Sequence, residues 1–247
     1  MFLFLFVLLI AYIPNRVIAE EVKPVSGRVL KAGGDLGDYS QWIEIAQFGD
    51  YSLILRVKCI LPATLYNYRE IYDGYKNSLA QQNVSRWFNA LDHKSVLWSK
   101  SVGNDACANL GWCGSWGRPV LCDEYNSLGE AIGTGISLPR PDLEKSAFLL
   151  SYQESKRFVC GECSPEGSDE ISEEAYANYK YLEQAVTDGE FSERVIESTW
   201  LRTPGTSYNF AMALSTIFEG KCLINCRIST GQCCLRPALW VESEIFD

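Results

Sequence analysis

The stretch 210–242 limits this 247-residue chain more than any other. Its runs "FAMALSTIF", "KCLINCRI" and "QCCLRPALWV" are rich in β-formers and are separated only by Glu-Gly and Ser-Thr-Gly. Connections so short cannot hold a crossover helix, so the spacing predicts strands joined antiparallel. If Ser-Thr-Gly is the whole of the last turn, Arg227 faces Cys233 and Cys226 faces Cys234. A disulfide from Cys226 to either Cys233 or Cys234 then falls within the usual Cα separation of about 5.5 Å.

Two related clusters bracket this run. "STWLRTPG" (198–205) and "CLRPALWV" (234–241) each set an arginine near a proline in an apolar run with a tryptophan. Pro204-Gly205 predicts a turn after the "WLR" strand. The strand through "RPALW" is expected to bury Leu239 or a neighbour and to lay Trp240 on a sheet face. Arg202 and Arg236 then need acceptors in apolar surroundings. Guanidinium suits such a place, because it bridges several carbonyl or carboxylate oxygens at once. The main expectation for Trp200, Arg202, Pro204, Gly205, Arg236, Pro237 and Trp240 is therefore structural. The other reading is that Arg202 or Arg236 binds an anionic ligand.

Upstream, hairpins and helices alternate. Residues 42–61 read as a hairpin: Trp42, Ile43 and Ile45 on one arm, "FGDYS" as the turn, 53–61 as a buried strand that Pro62 ends. In "NVSRWFNAL", Val84, Trp87, Phe88 and Leu91 follow helical spacing, with Asn83 as N-cap. Residues 145–158 read as a short buried strand running into a helix. Residues 168–189 are the clearest helix, capped by Ser168 or Asp169 and stopped by Asp188-Gly189. Its apolar stripe is Ile171, Ala175, Tyr179, Leu182 and Val186. The sum is an α+β domain. Residues 103–142 stand apart: rich in Gly, Cys and Trp and without a period, they read as a loop insertion.

The N-terminal run at 2–13 is apolar and is closed by Pro14. A membrane span needs about 20 such residues, so the run suits a signal peptide of residues 1–19, cleaved after Val17-Ile18-Ala19, although no Lys or Arg precedes it. The mature form, 20–247, would be one domain with no membrane span. Export makes the ten cysteines candidates for disulfides: Cys59, Cys107, Cys113, Cys122, Cys160, Cys163, Cys222, Cys226, Cys233 and Cys234. Without export, Cys160-x-x-Cys163 and the last four would suggest a thiolate zinc site instead. A net charge of −9 argues against nucleic acid and anionic membranes as partners. The acidic bunch at 162–197 reads as a solvated helix face.

The paired signature, Trp200-Leu201-Arg202-Thr203-Pro204-Gly205 and then Arg236-Pro237-Ala238-Leu239-Trp240, resembles a bacterial family of exported domains known mainly as a domain of unknown function. "SRWFNAL", "SAFLLSYQES" and "WIEIAQFGDYSLILRVKCIL" look like further segments of that family, so the likeness runs over about 40–242. The 103–142 insertion and the many cysteines depart from it. The resemblance implies a C-type-lectin-like fold: two main helices, small antiparallel sheets and long ligand-facing loops, here with disulfides. It is also remotely similar to the formylglycine-generating enzyme and to the variable proteins of diversity-generating retroelements.

The leading functional expectation is an exported, non-enzymatic domain, secreted or at the cell surface, that binds a glycan or a protein. The expected ligand face joins the insertion, with Trp112, Trp116 and Tyr125, to the loop carrying Arg202 and Asn209. Ring faces and hydrogen-bonding groups side by side suit either ligand. Three cysteines within it would hold the insertion rigid: Cys107, Cys113 and Cys122. One alternative is an enzyme of the formylglycine-generating type using Cys222 and Cys226, though "FEGKCLINC" lacks that enzyme's flanking residues. Another is a structural component of a surface assembly. The sequence names no catalytic residue: His93 stands alone and there is no G-x-S-x-G elbow. No metal site or cofactor is expected.

Overall fold

A computed structural model describes residues 22–32, 40–72, 74–91, 96–104, 136–160, 172–187, 198–205, 207–215 and 222–247. Its strands begin with β1 (Lys23–Pro24), β2 (Val29–Ala32), β3 (Ser40–Phe48), β4 (Tyr51–Arg56) and β5 (Leu61–Thr64). β3 and β4 form the hairpin that the alternation predicts. Gly49 closes it at φ +54°, a left-handed value that suits a residue without a Cβ. The second arm ends at Arg56 rather than running on to residue 61, because the chain leaves for another sheet and β5 belongs there.

Helix α1 (Leu79–Asn89) buries Val84 and Phe88 and half-buries Trp87, as its period requires. Its cap is Ser78 rather than Asn83: Ser78 Oγ accepts from Gln81 N at 3.0 Å. α2 (Val96–Lys100), β6 (Gly103–Asn104) and β7 (Pro139–Arg140) follow. α3 (Tyr152–Ser155) runs into a wider, π-helical turn, Lys156–Cys160. α4 (Glu173–Thr187) starts after Ser172, so the expected caps Ser168 and Asp169 lie outside the described residues. Ala175 and Leu182 are buried along its stripe. Asn178 is buried beside them, and its Nδ2 donates to the carbonyls of Val25 and Phe158 at 2.8 and 2.9 Å.

The C-terminal run is where the fold departs from expectation. It makes β9 (Phe210–Ser215) after β8 (Ser198–Pro204), then β10 (Leu223–Arg227), β11 (Cys233–Leu235) and β12 (Ala238–Glu242). β9 and β10 are the expected antiparallel hairpin. β11, however, pairs with β8 in parallel and with β5 antiparallel, giving the order β10-β9-β8-β11-β5. β12 crosses to the other sheet, whose order is β1-β3-β4-β12 with β2 also on β3. The crossing falls at Arg236-Pro237. Proline has no N–H to continue a ladder, so the strand breaks there. The break is stapled on both sides: Ile60 N donates to Leu235 O at 2.8 Å and Arg56 N to Pro237 O at 2.9 Å.

The new register corrects the cysteine expectations. Cys234 is bonded to Cys59, with Cα atoms 5.8 Å apart, and not to Cys226, whose strand β10 has β9 and β8 between it and β11 in the sheet order. Cys160, Cys226 and Cys233 are free, buried thiols. The architecture is mixed α+β, with small, mainly antiparallel sheets around a core that includes the fully buried Trp42, Trp200 and Trp240. Among the described residues, no helix is long and apolar enough to cross a membrane.

Candidate binding surface

The residues 147–154, "AFLLSYQE", strap the two arginine motifs together. Phe148 exchanges backbone bonds with Ala238 of β12, at 3.1 and 2.8 Å. Leu150 O accepts from Arg202 N of β8 at 3.0 Å. Ser151 then caps α3 in a capping box with Glu154. The same Glu154 meets Arg202: Nη1 to Oε2 at 2.6 Å and Nη2 to Oε1 at 3.1 Å. Backbone N–H groups of Ser137 and Ser151 complete the carboxylate, each at 2.7 Å. Leu149 O accepts from Arg202 Nη1 at 2.8 Å. Both ionic side chains are 0% exposed. Burial pushes the Glu154 carboxyl up, but the Arg202 charge and these donors outweigh it and hold the group below the ordinary carboxylate value.

Arg202 is 0% exposed and therefore out of reach of a ligand, and its sequence reading as a ligand contact is corrected: both terminal nitrogens of the guanidinium are taken up by the fold. What it supports is a surface. Its carbonyl accepts from Tyr72 Oη at 2.5 Å and from Tyr66 Oη at 3.4 Å. The Tyr66 and Tyr72 rings stack at 5.6 Å, and Tyr66 meets Trp200 edge-on at 5.3 Å. Trp200 Nε1 donates to Thr64 O at 2.8 Å, tying β8 to β5. Above this floor three loops are joined through their backbones: Tyr72 N to Tyr208 O at 2.6 Å, Ile228 N to Asn209 O at 3.0 Å and Tyr66 N to Ile228 O at 3.0 Å.

Gly205 makes the close approach possible. A Cβ there would come within 2.6 Å of both Asn225 Oδ1 and Phe210 Cβ. After Pro204 the chain turns, and Gly205 N returns to Phe210 O at 2.9 Å. The result presents Tyr68, Ile71 and Tyr208 to solvent, 76%, 57% and 54% exposed, with the Arg227–Glu70 pair at 3.7 Å close by. Asn209 sits half-buried in the seam and gives it a carbonyl. Of the expected ligand face, this half is described; Trp112, Trp116 and Tyr125 lie outside the described residues, as do Cys107, Cys113, Cys122 and Cys163, His93 and residues 1–21. Sequence reading did not single out Tyr66, Tyr68, Ile71, Tyr72 or Tyr208, and passed over Glu154, whose S-x-x-E spacing from Ser151 is a recognisable capping signal.

The second motif is placed differently. Trp240 is fully buried and donates to Ser137 Oγ at 3.0 Å. Pro237 makes the sheet crossing. Arg236 is buried beside Arg56, and burial together with that like charge pushes its pKa down to about 10. Its Nε and Nη1 meet no acceptor among the described residues.

The cysteine chemistry is limited by bonding. Cys222 is disulfide-bonded, so Cys222 and Cys226 do not offer the thiol pair that the enzyme alternative needs. Cys226 instead hydrogen-bonds to Cys233; the contact holds the Cys226 thiol below its ordinary value and, with burial, pushes Cys233 up. Burial alone pushes the Cys160 thiol up, away from reactivity. Among the described residues, no group of His, Cys, Asp and Glu side chains is arranged to hold a metal ion. No protein family, characterised protein or solved structure matches the chain.

Proposed function

We propose that the chain is an exported, non-enzymatic binding domain of C-type-lectin-like fold, secreted or displayed at the cell surface, and that its partner docks on the Tyr68–Ile71–Tyr208 surface. The observation that carries this reading is the exposure of these large apolar side chains on loops whose backbones are fixed to one another. Aromatic anchors on preorganised loops bind at a low ordering cost. Ile71 beside the two rings favours a protein partner, since an aliphatic side chain offers a sugar hydroxyl no bond. A glycan is the second reading, supported by the ring faces beside the Glu70–Arg227 pair. The apolar run at 2–13 and the Cys59–Cys234 disulfide support export.

The test is a paired screen of the mature chain against glycan arrays and against cell-surface protein fractions, with a Tyr68→Ala/Tyr208→Ala variant alongside. The double variant is expected to keep its melting temperature and to lose the partner. Binding that survives both changes in a folded protein places the partner elsewhere.

A further inference from the structure

We propose that Arg236, with Trp42 Nε1 and the neighbouring Arg56, forms a seat for a small oxyanion, a site separate from the loop surface above. Arg236 is 4% exposed and its buried Nε and Nη1 have no acceptor among the described residues. Trp42 is 1% exposed, and its indole N–H, which can only donate, is likewise without an acceptor there. The two are linked through Arg56. Trp42 and Arg56 are directly opposed across β3 and β4, and Arg56 N holds Pro237 O, the residue after Arg236, at 2.9 Å. Arg56 adds a second positive charge close enough to act on Arg236. Its own guanidinium lies 5.5 Å from the Trp87 ring and gives Nη1 to Lys58 O at 3.1 Å.

The nearest carboxylate along β3 does not answer this charge. Glu44 is held by Arg28 Nε and Nη2 at 2.6 and 2.9 Å, by Gln47 at 2.8 Å and by Ser52 at 2.5 Å. The cluster thus combines donors and positive charge in a low-dielectric place, which is the composition of an anion site. Water satisfies an N–H but leaves the guanidinium charge uncompensated. The few per cent of exposure at Arg236 and Trp42 leaves no room for a macromolecular surface, so only a small group fits the proposal. The ligand is therefore a carboxylate, phosphate or sulfate ion, or such a group at the tip of a slender molecule.

The experiment uses the whole mature chain. Melting temperature and isothermal titration are measured with inorganic phosphate, sulfate and acetate against chloride at matched ionic strength. Phosphate and sulfate raise the stability of most proteins by exclusion from the surface, so the site-specific part is the difference between the parent and Arg236→Met. The parent is expected to show saturable binding of at least one oxyanion. A response to phosphate and sulfate marks a tetrahedral ligand, and a response to acetate alone marks a carboxylate. Arg236→Met is expected to weaken binding by roughly thirtyfold or more, while Lys180→Ala, on the exposed face of α4, leaves it unchanged. If Arg236→Met does not fold, Trp42→Phe, which keeps a ring and removes the N–H, is expected to weaken it severalfold. Absence of saturable binding in the parent overturns the proposal, as does a variant that responds as steeply as the parent.

Discussion

Arg202 and Arg236 stand in look-alike settings, each near a proline and a tryptophan, yet the chain surrounds them in opposite ways. Arg202 has a bidentate carboxylate, a carbonyl on its side chain and tyrosine hydroxyls on its own backbone oxygen. Arg236 has burial, a like charge and no acceptor for Nε or Nη1 among the described residues. The difference shows what a local motif can and cannot specify. An apolar run with one arginine dictates a buried guanidinium. Whether that cation is structural or open to a ligand depends on a partner from elsewhere; Glu154 lies 48 residues from Arg202 in sequence.

The largest effect expected from breaking this contrast is at Arg202. Arg202→Met leaves Glu154 buried without its counter-charge and should cost about 3–5 kcal/mol, read as a lower urea midpoint. Arg236→Met in chloride buffer should move the other way. It removes a charge whose pKa is pushed down to about 10, and relief of that penalty is on the order of 1–3 kcal/mol.

Acid titration sharpens the same comparison. The Glu154 carboxyl is held below the ordinary value of 4.5, so its stabilisation is fully present above that pH and is lost as pH falls through the lower, folded-state value. Circular dichroism should show the parent weakening below about pH 4.5, with Glu154→Gln less stable at neutral pH and flatter on the acid side. Tyr72→Phe removes one hydrogen bond to the Arg202 carbonyl and should cost about 1 kcal/mol. Tyr208→Ala, at an exposed position, should stay within about 0.5 kcal/mol of the parent while weakening partner binding.

Local patterning made a good part of the fold legible. Alternation around Gly49-Asp50 predicts β3 and β4, and the spacing of Val84, Trp87 and Phe88 predicts α1. The start of α1 escaped because Ser78 caps it before the apolar period begins. The split of the last run into β11 and β12 escaped for a longer-range reason. Short turns suggest sequential pairing, but Cys234 takes Thr199 and Cys59 as neighbours, and Pro237 ends the ladder. At the site, Trp200 and Arg202 stand out in sequence because their setting is unusual. Tyr68, Ile71 and Tyr208 do not, since only the joined loops decide which aromatics face solvent. The isolation of Arg236 is the least legible of all, because it depends on where each nearby carboxylate is spent, Glu44 on Arg28 above all.

The most direct measurement of the contrast is urea unfolding of the parent, Arg202→Met and Arg236→Met, side by side in phosphate-free chloride buffer near neutral pH. The expected result is a midpoint well below the parent for Arg202→Met and at or above it for Arg236→Met, with unchanged slopes. An Arg236→Met midpoint that falls as far as that of Arg202→Met contradicts the contrast, because it makes the two arginines equivalent structural cations.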